Sequence, residues 1–151
     1  MSNLAPWRPR LVGRGRLGGS IFLFILFATP AFAASLAGDW YGEGYQPLWH
    51  EDAQWLMHLA PDGAYAIDFR RYRDCRLTLE QKESGTWSLG TEFRTITTKV
   101  NGRATRYEND YRIGPITERE FHITLTATGQ NYTERRVGAD FTMPPPDCPT
   151  S

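Results

Sequence analysis

The chain has 151 residues, with 17 basic and 17 acidic side chains, 40% hydrophobic residues and two cysteines. That is enough for one domain with a modest core. Taking the four arginines of an N-terminal leader from the 17 basic residues leaves 13 against 17 acidic, a net charge of −4. A weakly acidic domain lacks the dense basic face that neutralises phosphates, which excludes nucleic acid as a partner.

The chain opens with the pattern of a secretory signal peptide over residues 1–33. Arg8, Arg10, Arg14 and Arg16 form a positive region, and an apolar run over residues 21–28 follows it. Pro30 ends the run, and Ala31-Phe32-Ala33 supplies small residues for cleavage after Ala33 or Ala34. A spanning helix needs about 20 apolar residues, and this run has eight. The expected product is a secreted or periplasmic bacterial protein, residues 34–151, with no membrane span once the leader is gone.

Beyond the leader the pattern is all-β. Short runs rich in Tyr, Trp, Thr, Ile and Phe alternate with polar residues between turn signals. The runs span residues 39–46, 54–59, 64–72, 75–81 and 85–89, with Pro61-Asp62-Gly63 and Gly90 as breaks. Residues 47–53, carrying Trp49, His50, Glu51 and Asp52, read as a loop or short helix over one end. The run 93–100 leads into Asn101-Gly102, a type I′ hairpin signal, and 104–113 runs back. Gly114-Pro115 is expected to turn the chain, followed by alternation over 121–125, a turn at Thr128-Gly129-Gln130 and a last run over 132–137. These eight or nine strands predict a small antiparallel up-and-down β-barrel. A two-sheet β-sandwich is the alternative that periodicity leaves open.

A Pro-rich tail, Met143-Pro144-Pro145-Pro146-Asp147-Cys148, closes the domain. An even cysteine count in an oxidising compartment predicts one disulfide, Cys75–Cys148. It would close a loop of about 73 residues and contribute roughly 4 kcal/mol in a chain-entropy model. It would also pin the tail to the body.

Gly38-Asp39-Trp40 at the start of the first strand resembles the G-x-W opening of lipocalins and other calycins. The resemblance implies that Trp40 plugs one barrel end and that Arg135 or Arg136, late in the chain, packs across it. Asn109-Asp110-Tyr111 is similar to that family's T-D-Y element, with Asn for Thr. The cysteine pairing also resembles the common lipocalin disulfide. The layout resembles the compact bacterial lipocalin-like proteins more than the large vertebrate carriers. It is similar, too, to small periplasmic barrel inhibitors of secreted metalloproteases.

Function then turns on the barrel interior. The chain carries five Trp and seven Tyr, of which four Trp and all seven Tyr follow the leader. Such rings line an apolar cavity or fill a core. The expected ligand-binding residues are Trp55, Met57, Tyr65, Ile67, Phe69, Tyr107 and Tyr111, with His58 or Arg112 orienting a small hydrophobic ligand. The alternative is a barrel without a cavity that meets an envelope protein partner through the segment after Ala34 and the loop around Trp49. Three histidines form no HExxH or His-x-His motif, and no serine sits in a nucleophile elbow. The chain therefore reads as no enzyme, with no cofactor and no metal. Arg70, Arg71, Arg73 and Arg76 crowd one turn, where pairing with the interleaved Asp68, Asp74 and Glu80 is expected ahead of anion binding.

Overall fold

The structure, a computed structural model, describes residues 36–148. The leader and its cleavage point lie outside the described residues. Eight strands follow in order: β1 (Gly38–Gln46), β2 (Glu51–Leu59), β3 (Ala64–Arg73), β4 (Arg76–Leu89), β5 (Phe93–Val100), β6 (Arg103–Ile116), β7 (Glu120–Leu125) and β8 (Asn131–Val137). Each pairs antiparallel with its neighbour in sequence, and β8 pairs back onto β1, so the sheet closes as an up-and-down barrel. Closure leaves no sheet edge and decides against the sandwich.

Alternation drives this arrangement. In β2, Ala53, Trp55, Met57 and Leu59 are buried, while Asp52 and His58 are exposed. Successive side chains of a strand point to opposite faces, so one face fills the barrel and the other meets water. The outer face carries the ion pairs Arg70–Glu80 (3.2 Å) and Arg94–Asp110 (2.5 Å). Apolar inside and charged outside is the inverse of a membrane barrel.

Three expected boundaries shift. The segment 47–53 is a loop only in its first four residues, and Glu51 to Ala53 open β2. Only Pro47 to His50 turns, with His50 at φ 53°, because Gln46 pairs with Glu51 and β1–β2 zips up to the turn. The expected runs 75–81 and 85–89 are one strand, β4. Gly85 lies at a register shift against β5 rather than at a break, and a Cβ there would strike the Ile96 carbonyl. Gly114-Pro115 does not turn the chain either. The register shift between Ile113 and Ile116 absorbs the proline, and the turn comes at Thr117, whose Oγ1 accepts from the amides of Arg119 and Glu120. The Asn101-Gly102 turn has both φ angles positive, 48° and 77°, as type I′ geometry requires. Asp74 and Cys75 do the same between β3 and β4, at 48° and 63°.

One barrel end is filled. Leu36, Trp40, Leu59, Phe93 and Phe121 are almost wholly buried there. Phe121 meets Trp40 edge-on, with centroids 4.6 Å apart, and the Trp40 indole N–H donates to the Leu36 carbonyl (2.7 Å). The Arg136 guanidinium lies 4.1 Å over Trp40 and donates to the carbonyls of Ala37 and Glu118 (2.9 and 2.8 Å). Gly38, at φ 137°, leaves room for that guanidinium, which a Cβ would displace. Arg135 points outward, over Tyr41, and donates to Glu43 (2.6 Å). Of the two arginines, Arg136 is the one across Trp40.

The tail runs outside the barrel from the filled end towards the other. Phe141 packs on Tyr41 (5.1 Å between centroids), Met143 is buried, and Cys148 is bonded to Cys75 in the β3–β4 turn. Together with the tail prolines, Tyr41, Gln54 and Tyr72 line a shallow outer groove, which explains why these outward positions are buried.

Candidate functional site

The half of the barrel opposite Trp40 is open. It holds a cavity of about 380 Å³, within the range of small-molecule sites. Trp55, Met57, Tyr65, Ile67, Phe69, Tyr107 and Tyr111 all line it. They come from β2, β3 and β6 and share the inward parity of their strands. Phe93, Ile123, Leu125 and Tyr132 complete the apolar wall.

His58 and Arg112 do not reach the cavity. His58 falls between the inward Met57 and Leu59, and it pairs outside with Asp39 (2.7 Å). Arg112, between Tyr111 and Ile113, is exposed. Strand parity overrides side-chain chemistry at both positions. The other histidines are also apart: His50 bonds the Tyr45 hydroxyl (3.0 Å) and His122 the Thr133 hydroxyl (2.9 Å).

The polar groups that do face inward were not expected. Glu134 in β8 is 2% exposed, and both its oxygens accept from the single Trp55 indole N–H, each at 2.9 Å. Burial pushes its pKa up to about 7, against the opposing pull of the indole bond. Glu83 in β4 accepts from Gln81 (2.6 Å), Thr97 (3.2 Å) and the Tyr107 hydroxyl. Burial first, and the Glu83 carboxylate second, raise Tyr107 well above the ordinary phenol range. Burial alone leads the same shift at Tyr111. The Tyr65 hydroxyl and Thr97 Oγ1 share a further hydrogen bond. A signal for Glu134 was present: if Tyr132 points inward, residue 134 must too.

At the rim, Glu51 is buried and holds two arginines, Arg71 (3.3 Å) and Arg73 (3.0 Å). The Arg71 guanidinium lies 4.5 Å over the Trp49 ring. Its Nε and Nη1 are buried without a hydrogen-bond partner. The crowded arginines thus divide: Arg70 takes Glu80 as expected, and Arg71 and Arg73 take Glu51 instead. Tyr45, Leu48 and Trp49 are large apolar side chains exposed around this opening.

No protein-family profile matches the chain, and a search of curated proteins returns no match. The closed eight-stranded antiparallel barrel is consistent with a calycin-like fold.

Proposed function

We propose that this is an exported, lipocalin-like binding protein of the bacterial periplasm or exterior, which holds a small, largely apolar molecule in the open half of its barrel. One observation carries the reading. The interior is packed solid around Trp40, yet about 380 Å³ stands open among aromatic rings in the other half. Buried cores close to native density unless there is a use for the space. The tie of Arg136 across Trp40, and a disulfide suited to an oxidising compartment, agree with lipocalin-like layout and export. Architecture alone does not choose among carriers, inhibitors and enzymes, so the cavity is what weighs here.

Native mass spectrometry of the protein purified from its own envelope tests this. A bound mass that leaves on denaturation is expected. A bare protein that also shows no melting shift with a panel of apolar and amphipathic molecules would overturn the proposal. A second reading has one observation of its own: Leu48 is 77% exposed on the β1–β2 turn, beside Trp49. A contact surface for an envelope protein partner would use that turn, and substituting Leu48 would then abolish partner capture while leaving the cavity unaffected.

A further inference from the structure

We infer that the cavity takes an organic cation, a primary or substituted amine on an apolar body, with the ammonium group seated against Glu134. This rests on the binding role proposed above and names the chemistry of its ligand.

The argument begins from a surplus of acceptors. A carboxylate offers about four lone-pair sites, and Glu134 uses them on one indole N–H. A glutamine would satisfy that donor without placing an acid at a nearly water-free position. Glu83 faces the same cavity. Among the described residues neither acid has a basic side chain within ion-pair distance. Buried charges are normally paired, and Glu134 is a buried acid without a cation, with the half-buried Glu83 facing the same cavity.

The walls fit the same ligand. Trp55 meets Tyr132 edge-on at 5.4 Å and lies near-parallel to Phe69 at 6.3 Å. Aromatic faces around a carboxylate attract ammonium groups and suit an apolar body. The rim sets orientation: two arginines against one glutamate leave it positive. A cation is disfavoured at the rim and favoured inside, so the amine end enters first. Arg71, paired with Glu51 but short of hydrogen bonds, also lines the cavity and can meet an acceptor on the outer end of the ligand.

Protonation provides a signature. The titratable groups nearest Glu134 are Tyr111 on β6 and Tyr132 on its own strand, and burial keeps both neutral. Of these three groups, Glu134 is the one that changes charge near neutrality.

The test is calorimetric titration of the intact exported protein with three matched probes: 4-phenylbutylamine, 4-phenylbutanol and 4-phenylbutanoate. At pH 7.5 the amine should bind at least about tenfold tighter than the alcohol, in line with a desolvated charge pair. Its affinity should fall towards tenfold per pH unit below about 7, as Glu134 protonates. Glu134→Gln should abolish the advantage of the amine and its pH dependence while the protein still melts in one cooperative transition. Equal binding of amine and alcohol would overturn the amine assignment and leave the apolar carrier standing. Tightest binding of the carboxylate would overturn it in favour of Arg71 as the headgroup site. Failure of all three probes, with no bound mass in the native protein, would remove both readings.

Discussion

Two tryptophans divide the barrel, and they satisfy their indole N–H groups differently. Trp40, at the filled end, donates to a backbone carbonyl and is sealed by Phe121 and Arg136. Trp55, in the open half, donates to a buried acid and borders empty space. The backbone acceptor costs nothing extra to bury, since it must be bonded somewhere. The acid acceptor carries a desolvation cost that folding alone does not require. One end is built for stability, and the other retains an expensive group beside a cavity.

Breaking the filled end should have the largest effect. Trp40→Ala removes a fully buried ring and the platform of Arg136, for an expected loss of about 3–5 kcal/mol. Chemical denaturation would show it as a lowered midpoint. Removing the disulfide by replacing both Cys75 and Cys148 with serine should cost up to roughly 4 kcal/mol, less where strain or residual structure intervenes. Limited proteolysis should then cut within residues 138–148, which the intact protein protects at Met143.

Glu134→Gln sharpens the contrast at the open half and should move stability the other way. The folded pKa of Glu134, about 7, lies above the ordinary value of 4.5. Protonation therefore adds stability that is complete below about 4.5 and is lost as pH rises through about 7. The wild-type protein should be less stable at pH 8 than at pH 5 by on the order of 2–3 kcal/mol from this group. The variant should flatten that slope and melt higher at pH 8. If thermal melts of both proteins show the same pH profile, the desolvated acid is not what the geometry describes. The smallest effect belongs to the outer face. Asp39→Asn breaks the pair with the largely exposed His58, and the change in unfolding free energy should stay within about 1 kcal/mol.

How much of this was readable beforehand follows from what alternation encodes. Two-residue periodicity and the Asn101-Gly102 turn located most strands, because those signals are local. Gly85 and Gly114-Pro115 misled, because a bulge and a turn use the same residues and only the facing strand distinguishes them. The apolar wall of the cavity was legible in Trp55, Met57 and Tyr65, each on an inward position of a clearly alternating run. Its acids were not. Glu134 sits beside Arg135 and Arg136 and looks like part of a solvated charged stretch, and its two-residue spacing from Tyr132 is the single local sign that it faces inward. His58 and Arg112 were favoured for their chemistry, although their neighbours' parity already assigned them to the outside.

The path of the tail has a practical consequence. The described chain enters at the filled end, where Gly38 pairs with Leu59, and leaves beside the β3–β4 turn, where Cys148 meets Cys75 near the rim arginines. The two ends of the described segment, Leu36 and Cys148, therefore sit at opposite poles of the barrel. A sensor chip that tethers the molecule by its leading end would present the opening to the flowing solution. Tethering by the trailing end would turn the same opening towards the chip and hinder every analyte alike.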